Sequence, residues 1–480
     1  MSADVSVSAG ADGHLNGYGS RPYRSYVLTA LLFIYILNFV DRGLLAVVGP
    51  VLKPELGVSD TVWGLLTGAG FAIVYTLIGI PLARIAEVKH RVWIMTICVA
   101  IWSIMTALCG LSREFVIGGT VVGLFWVILA CRIGVAVGEA GCTPPATSLI
   151  SDYYPQSRRS TALGYYAMGV TLGTVLANLI GGPVAQHYGW RMAFIVVGLP
   201  GVLVAIALKL TVKEPPRGYT DPPGTAKVGR SNFADALKIL FSKKSYWAMI
   251  AGTTLASFCG YGITNFQSLF LQRTFDIQVK DASLFVNAPV ALASAIGTVL
   301  TGWLAERMLK RHPTAVAWIP GVGLILSVGF YVMAFTTDVK EACVFGLIMG
   351  GFVKYGYLAA QYTIAQGVVG VRVRATATAV LIFMQNMIGY TFGPLFIGAV
   401  SDALFHRKIT ALGMGGDLIR ESCEKKDLLA ALTEAQKHVC SIAHPEALQD
   451  SMLITACIYA VSGSFLILSC RWLKEDMTAK

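Results

Sequence analysis

The chain has 480 residues, of which 55% are hydrophobic and only 14% are charged, and its formal net charge is +11. Repeated apolar runs of about 20 residues, the length that a membrane-spanning helix requires, exclude a soluble globular protein. The excess positive charge lies mostly on the loops of one side, which indicates membrane topology and contact with anionic lipid rather than nucleic-acid binding. No Cys/His spacing is typical of a metal site, so neither a metal nor an organic cofactor is expected.

Twelve apolar runs predict twelve membrane-spanning helices. They lie near 26–49, 62–86, 92–111, 121–151, 160–185, 191–212, 246–271, 283–305, 314–335, 342–369, 375–400 and 451–473. Residues 1–24 are rich in Ser, Gly and Ala and lack an apolar segment, so they are predicted to be a disordered tail and not a signal peptide. Residues 474–480 are predicted to form a short C-terminal tail.

The spans fall into two sets of six, at 25–212 and 246–473, joined by a basic, Pro- and Gly-rich linker at 213–245. Within this linker, the apolar spacing of residues 233–241 predicts an amphipathic helix on the membrane surface. Connectors after even-numbered spans carry most of the positive charge, and those after odd-numbered spans carry little. The positive-inside bias therefore places the linker and both termini in the cytoplasm.

One connector departs from this pattern. Residues 403–450, between spans eleven and twelve, carry both charge signs and are predicted to form an extracytoplasmic loop. The loop holds Cys423 and Cys440, and the oxidising side of the membrane permits a disulfide between them. Two interpretations remain open from the sequence, namely a disulfide or two free thiols.

The two halves show signs of an internal duplication. After span two, Glu87 is followed four positions later by Arg91, and after span eight Glu306 is followed by Lys310, 219 positions further on. The motif that opens span five at Arg159 recurs 215 positions later, at the start of span eleven. Such repeats predict two six-helix halves around a central cavity, with the binding site near the midplane.

Five ionisable residues lie well inside the predicted spans: Asp41, Arg42, Arg132, Glu139 and Lys354. An ionised group in hydrocarbon costs at least about 2.5–3.5 kcal/mol, so these side chains must face protein or water. Arg132 and Glu139 are seven residues apart and lie on nearly the same face of one helix, about 10 Å apart along its axis. Two acids against three bases leave about one positive charge uncompensated, which predicts an anionic substrate.

These charges have predicted roles. Asp41 is the leading candidate for the proton carrier and Glu139 its partner or substitute, because a buried carboxylate whose cationic neighbours change between conformations binds a proton in one and releases it in the other. The alternative is a static ion pair that fixes helix packing. Arg42 and Arg132 are expected to bind a phosphate or carboxylate, although Arg132 fits a salt bridge equally well. Lys354 either contacts substrate or extends towards the outer interface.

Three stretches carry a family resemblance. They are Asn38-Phe-Val-Asp41-Arg42, Arg132 to Pro145 with its Gly138-Glu139-Ala-Gly-Cys-Thr-Pro-Pro string, and Ser148 to Arg159 with its Asp152-Tyr-Tyr-Pro155 string. Together they resemble the spinster branch of the major facilitator superfamily, and the chain is similar to a bacterial homologue of that branch over essentially its whole length. The resemblance implies an all-α membrane protein with the major facilitator fold, twelve transmembrane helices in two pseudo-symmetric six-helix halves. Asn38, one turn before Arg42, is also among the predicted substrate-binding residues, and the alternative for it is a role in helix packing.

The turns after spans two and eight resemble the cytoplasmic gate signature of that superfamily. They differ from it because Ala83 replaces the usual glycine and Glu87 and Glu306 replace aspartate. The predicted gate or interdomain residues are Arg84, Glu87, Arg91, Asp152, Arg159, Glu306 and Lys310. Their repetition at matched places favours pairing between the halves or with helix ends over solvated loop charges.

The leading interpretation is a proton-coupled secondary transporter of an anionic amphipathic lipid, similar to the lysophospholipids and sphingoid phosphates that the spinster branch exports. The head group is predicted to bind at Asp41, Arg42 and Lys354, with the chain along an apolar second half. The alternatives are a proton-coupled organic-anion or sugar-acid symporter and a non-transporting membrane sensor. An enzyme is not expected, because the spans contain no nucleophile–base pair. The expected partners are a lipid-like substrate and membrane lipids, with protons as coupling ion, for a monomer in the cell (inner) membrane.

Overall fold

The computed structural model describes residues 17–117, 120–220, 233–309, 312, 314–369, 373–412, 422–423 and 426–478. Within this part of the chain, the first half consists of six membrane-crossing helices. The helices are α1 (Arg21–Leu56), α2 (Asp60–Gly64, a π-helical turn at Leu65–Ala69, and Gly70–Val88), α3 (Arg91–Leu111), α4 (Leu124–Ala140 and Thr143–Tyr153), α5 (Gln156–Tyr188) and α6 (Trp190–Thr211). A small antiparallel hairpin of β1 (Phe115–Ile117) and β2 (Thr120–Val122) joins α3 to α4, with Phe115 opposite Val122. Span four therefore begins at Leu124 and not near 121.

The second half repeats this arrangement after the linker helix α7 (Phe233–Ser242). Its helices are α8 (Lys244–Phe275), α9 (Val279–Asp281, a π-helical turn at Ala282–Asn287, and Ala288–Leu309), α10 (Ala315–Thr336), α11 (Lys340–Lys354 and Tyr357–Gly367), α12 (Arg374–Met384, a π-helical turn at Gln385–Tyr390, and Thr391–Ala411) and α13 (Glu434–Thr478). Ten of the described helices are long and apolar enough to cross a membrane by length and hydropathy. The other two crossings are α8, which is rich in hydroxyl and amide side chains, and α11, which is interrupted after Lys354. The predicted twelve-helix architecture in two halves is confirmed.

The connector predicted at 403–450 is mostly helical in its described part. α12 continues to Ala411 and α13 already begins at Glu434, with a short helical turn at Lys426–Ala430 between them. Cys423 and Cys440 are joined in a disulfide, which packs with buried apolar residues of α12 such as Phe405. Both flanking helices thus continue beyond their apolar cores into the connector, and its extracytoplasmic position stays a prediction.

The linker is attached to both halves. Tyr153 of α4 donates its hydroxyl to the carbonyl oxygen of Lys213 at 2.5 Å, so the start of the linker lies on the first half. On the other side, Ala236 and Leu240 of α7 are buried, and Trp247 of α8 donates its indole N–H to the carbonyl of Leu240 at 3.0 Å. α7 is thus the predicted amphipathic helix, and its apolar face packs on the second half.

The two halves meet where α2 and α12 cross. A Cβ added at Gly64 would lie 2.9 Å from the Cα of Leu395, and one added at Gly68 would lie 2.9 Å from the carbonyl oxygen of Tyr390. Gly68 lies in the π-helical turn of α2. When 219 is added to the residue numbers of this turn, it overlaps the π-helical turn of α9. π-helical turns inside α-helices are often found at functional sites. They occur here at equivalent places, close to the contact between the halves.

Within the first half, Gly138 allows α4 to pack closely on α3. A Cβ at this position would lie 2.7 Å from the backbone nitrogen of Trp102 and 2.8 Å from the carbonyl oxygen of Cys98. Close helix contact through small residues is a main source of stability in membrane bundles. The contact between these two helices is what holds the charged face of α4 in place.

We therefore expect Gly138→Val to destabilise the protein by about 1–3 kcal/mol, the usual range for overpacking. The measurement is the unfolding temperature of purified protein in detergent. Gly164→Val is the matched control, because Gly164 is exposed on α5 and nothing lies within 4 Å of a Cβ added there. Equal unfolding temperatures for the two variants would contradict the role of Gly138.

Candidate functional site

Four charged side chains of α1 and α4 form two crossed ion pairs inside the first half. Arg42 donates through Nε to Oε2 of Glu139 at 2.5 Å. Nη1 of Arg132 lies 3.8 Å from Oδ1 of Asp41. The sequence predicted that these four residues share one site, and the structure brings them together because Asp41 and Arg42 are adjacent on α1 while Arg132 and Glu139 lie two turns apart on one face of α4.

Only one of the four reaches open space. Asp41 and Arg132 are 1% exposed and Glu139 is 0% exposed, whereas the side chain of Arg42 is 14% exposed. The guanidinium carbon of Arg132 also lies 5.0 Å from the ring centroid of Phe71, which covers it. Of the two roles open for Arg132, the salt bridge is the one seen in this conformation, and the substrate contact stays a prediction.

The cluster has more hydrogen-bonding groups than partners. Among the described residues, no hydrogen bond is found for either carboxylate oxygen of Asp41, for Oε1 of Glu139 or for Nε and Nη1 of Arg132, although all are buried; the contact between Asp41 and Arg132 is an ion pair at 3.8 Å. The predicted ligand Asn38 is 2% exposed, and its Oδ1 is likewise buried without a partner. Buried polar groups normally have partners, and leaving one without costs about 1–3 kcal/mol. Such groups can take up a proton or a water without breaking an existing bond.

Arg42, which is partly exposed, lies among aromatic rings that belong to both halves. Its guanidinium carbon lies 4.4 Å from the ring centroid of Tyr75 and 5.2 Å from that of Phe71. It also interacts electrostatically with Tyr261 and Tyr390 of the second half, whose rings stack at 4.3 Å. We call the space bordered by these residues the central hollow.

A further tyrosine lies on the wall of the central hollow that belongs to the second half. Tyr362 of α11 is 41% exposed and interacts with Tyr35 of α1 and with Tyr261 of α8. Such a side chain lies between the halves while remaining accessible. This wall of the second half therefore carries tyrosines, which offer both a ring and a hydroxyl beside the apolar side chains that the sequence predicted.

Lys354 lies at the break in α11 and inside the second half. It is 3% exposed, and its Nζ lies 4.8 Å from the ring centroid of Tyr355, 5.2 Å from that of Tyr331 and 5.6 Å from that of Tyr459. Aromatic faces attract an ammonium group, by about 2 kcal/mol or more where water is excluded. The alternative in which Lys354 extends to the outer interface is wrong.

The contacts described for three of the predicted gate residues, Arg91, Asp152 and Arg159, lie within the first half and its linker. Arg91 donates to Asp152 through Nη1 and to Oε1 of Glu214 through Nε at 2.6 Å. Oδ1 of Asp152 in turn accepts from the backbone nitrogen of Gly218 at 2.9 Å. Arg159 donates to the carbonyl of Ser151 and to the hydroxyl of Thr220, at 3.0 and 2.9 Å. These contacts attach the linker to the first half at helix ends, which is one of the two kinds of pairing that the sequence left open; pairing between the halves stays a prediction.

No contact is described for the other predicted gate residues. Arg84 and Glu306 are exposed, while Lys310 and the side chain of Glu87 lie outside the described residues. The end of α2 is instead capped by a linker residue that sequence analysis missed. Nη2 of Arg217 donates to the carbonyls of Ala86 and Lys89, at 2.9 and 2.6 Å.

A charged lock between the halves lies at the opposite end of the bundle, around Asp60 at the start of α2. Its carboxylate accepts two bonds from Arg273 of α8, both at 3.0 Å, and lies 3.1 Å from Nζ of Lys53. The hydroxyl of Ser401 on α12 donates to the same group at 2.7 Å. Asp60 is fully buried, so the first half is bound here to α8 and α12 of the second.

The lock is completed by Asp402 of α12. Its carboxylate accepts the backbone N–H groups of Asp60 and Thr61 at 3.1 and 2.8 Å. A carboxylate from one half thus caps the N-terminus of a helix of the other, a position where the helix dipole favours negative charge. We call Lys53, Asp60, Thr61, Arg273, Ser401 and Asp402 the clasp. The sequence gives no signal for it beyond single charges at helix ends.

The chain is similar to known transport proteins over most of its length. The profile described as Major Facilitator Superfamily matches residues 31–394. An MFS-type efflux pump of Mycolicibacterium smegmatis is 31% identical over 82% of this chain and 87% of its own length. Protein spinster of Drosophila melanogaster is 24% identical over 98% of this chain and 80% of its own length.

The same branch appears among solved structures. The crystal structure of a bacterial homologue of the human lysosomal transporter spinster, inward-facing and unoccupied, matches with a TM-score of 0.87 and 39% identity. The match covers 95% of this chain and 99% of that one. The chain therefore belongs to the Major Facilitator Superfamily and, within it, to the spinster branch of secondary transporters.

Proposed function

We propose that this transporter moves an anionic amphipathic molecule, similar to a lysophospholipid or a sphingoid phosphate, together with protons. The observation that carries the proposal is the crossed set of ion pairs between α1 and α4, of which Arg42 alone reaches the central hollow. One group of the set is thus placed to meet a substrate, while the carboxylates behind it are shielded from water. This is the arrangement that a coupling site requires, since an anion that binds to Arg42 alters the charge balance of the buried carboxylates.

Protonation of Glu139 and anion binding at Arg42 support each other. A proton on Glu139 removes the charge that holds Arg42 at 2.5 Å, which frees the guanidinium for a phosphate or carboxylate. Conversely, an anion that takes over Arg42 leaves Glu139 buried without its cation, a state that a proton relieves. Asp41, 3.8 Å from Arg132, is a second buried carboxylate whose protonation changes the charge of the same cluster. The proton and the anion therefore favour the same occupied state.

The amphipathic character is supported by the walls of the central hollow. Phe39, Phe71 and Tyr75 lie around Arg42, within 5.2 Å of its guanidinium carbon, and the stacked pair of Tyr261 and Tyr390 faces it. Aromatic rings offer a large apolar surface to a chain while a cation next to them binds an acidic group. A molecule with both parts fits this surface better than a wholly polar one.

A second candidate is a proton-coupled symporter of a small organic or sugar acid. It is favoured by a cavity of about 150 Å³ beside Lys354, which suits a compact hydrophilic acid. A non-transporting sensor on the same fold would bind either ligand without carrying it across. The fold and the relatives are those of transporters and not of enzymes.

The orientation in the membrane is part of the proposal. Arg91, Arg159, Arg217 and Lys243 lie at the end of the bundle that carries the linker, and the positive-inside bias places this end in the cytoplasm with both termini. The clasp then closes the extracytoplasmic side. We propose that the protein works in the cell membrane as a monomer, with protons as its coupling ion.

Flux measurements in proteoliposomes separate the candidates. Labelled lysophosphatidate and labelled galactonate are each offered with and without an imposed pH gradient, and protein-free vesicles correct for leakage. We expect lysophosphatidate flux that rises with the pH gradient and falls when a protonophore is added. Gradient-driven flux of galactonate alone would favour the second candidate, and binding without flux would favour the sensor.

A further inference from the structure

The cavity beside Lys354 lies between the two halves. Its lining includes Gly43 and Val47 of α1 and Thr174 of α5 on one side, and Gln267 of α8 and Ser294 of α9 on the other. It is about 150 Å³ in volume. Such a space accepts a compact polar group.

The described lining of this cavity carries positive charge without a negative counterpart. Lys354 is the one residue with a full charge among the residues that line it, within the part of the chain that the structure describes. No ion pair joins its ammonium group to a described carboxylate, and its near neighbours are tyrosine rings. A buried cation without a counter-charge is costly, so an anionic group in the cavity would be stabilised.

The polar side chains around Lys354 offer mainly acceptors. The hydroxyls of Thr174, Ser294 and Thr298 donate to carbonyls of their own helices, at 2.8, 2.6 and 2.9 Å. Asn178 also lines the cavity. Its amide nitrogen donates to the carbonyl of Thr174 at 2.9 Å, while its Oδ1 is buried without a described partner. The remaining lone pairs favour a ligand that donates hydrogen bonds, such as one with hydroxyl groups.

We propose that this cavity binds the acidic, hydroxyl-bearing polar end of the transported molecule, with the acid group at Lys354 and a hydroxyl at Asn178. A glycerophosphate group has this chemistry, either free or as the head of a lysolipid. The proposal rests on the proposed function and adds to it a second anion site, separate from Arg42, which the single acid group occupies at a different step of transport. Tyr355, which lines the cavity, interacts with Tyr261, which borders the central hollow.

Calorimetric titration of the purified full-length protein in detergent tests the site. The probes are sn-glycerol 3-phosphate, inorganic phosphate, lysophosphatidate and glycerol. We expect Lys354→Met to weaken binding of the three anions about 10- to 100-fold, the range for loss of a charged hydrogen bond, and Lys354→Arg to retain most of it. Asn178→Leu is expected to weaken glycerol 3-phosphate more than inorganic phosphate.

The matched control is Lys209→Met on α6. Lys209 Nζ also lies against an aromatic ring, 4.0 Å from the centroid of Trp93, but it does not line the cavity. Its loss is expected to leave all affinities unchanged. Anion binding by Lys354→Met as tight as that of the wild type, or no binding of any anion by the wild type, would overturn the proposal. Unchanged elution of the variant from a sizing column shows that it has folded.

The three anionic probes distinguish the source of the ligand. Tight binding of lysophosphatidate with weak binding of glycerol 3-phosphate identifies a lipid head group, and the opposite order identifies a free phosphate ester. Flux then separates this inference from the proposed function. If wild-type flux depends on the pH gradient while Lys354→Met has the same half-saturating concentration, the inference fails and the function stands. If binding depends on Lys354 but no flux occurs, the function fails and the site stands.

Discussion

Asp41→Asn is expected to abolish the stimulation of transport by a pH gradient while leaving exchange of labelled substrate in the absence of a gradient. Asparagine has nearly the same volume but cannot bind and release a proton, so the α1–α4 site loses one of its two exchangeable carboxylates. The measurement is the ratio of initial lysophosphatidate flux with and without a pH gradient in proteoliposomes. We expect this ratio to fall to about one in the variant.

The control for this variant is Asp276→Asn. Asp276 is exposed at the end of α8 and has a left-handed backbone, with φ 49°, a conformation that asparagine adopts readily. Its flux ratio is expected to match that of the wild type. Arg132 loses its neighbouring charge in Asp41→Asn, so the unfolding temperature is measured in parallel. A well-folded Asp41→Asn protein with the wild-type ratio would remove Asp41 from the coupling role.

Asp60→Asn is expected to open the clasp. The substitution leaves Lys53 and Arg273 buried with no carboxylate of Asp60 between them, and removing one partner of a buried ion pair typically costs about 3–5 kcal/mol. The cost falls on the conformation closed at the clasp, because the two cations are hydrated once the halves separate there. A shift of this size is close to the roughly 5.5 kcal/mol that takes a two-state equilibrium from 1:99 to 99:1.

The separation is measured by single-molecule energy transfer at the clasp end. An azide-bearing amino acid at Tyr188 of the first half and at Leu412 of the second carries the dyes, since both positions are exposed and the native cysteines stay unlabelled. We expect a longer dye distance in Asp60→Asn and no change in Asp338→Asn, an exposed aspartate at the same end. An unchanged distance distribution in Asp60→Asn would show that the clasp does not hold the halves together.

The charge cluster could be predicted from the sequence because hydrocarbon penalises unpaired charge so strongly. Two charges lie on one span, Asp41 and Arg42, and two lie at helical spacing on another, Arg132 and Glu139. Such charges are stable inside a membrane only where they face the interior of the helix bundle and pair with one another. The sequence could not assign the partners. That Glu139 pairs with Arg42 rather than with Arg132 depends on how α1 and α4 are rotated against each other, which is set by packing contacts such as that of Gly138.

The clasp and the linker contacts could not be predicted for a different reason. Asp60, Arg273 and Asp402 are far apart in the chain and lie at helix ends, where a lone charge is ordinarily solvated. The predicted gate motif indicated the linker end of the bundle, and there Arg91 and Asp152 hold the linker instead. Lys354 was recognised as an unusual charge, but the tyrosines around it come from α10, α11 and α13, which are separate in sequence.

The central claim is that the α1–α4 charges bind a proton and an anion in the same occupied state. It is tested most directly by imposing a lysophosphatidate gradient across proteoliposomes that contain a pH-sensitive dye, with no initial pH difference. The account predicts that protons move in the same direction as the lysolipid and that Asp41→Asn removes this proton movement. Lysolipid flux through the wild-type protein without any proton movement, or with protons moving in the opposite direction, would contradict it.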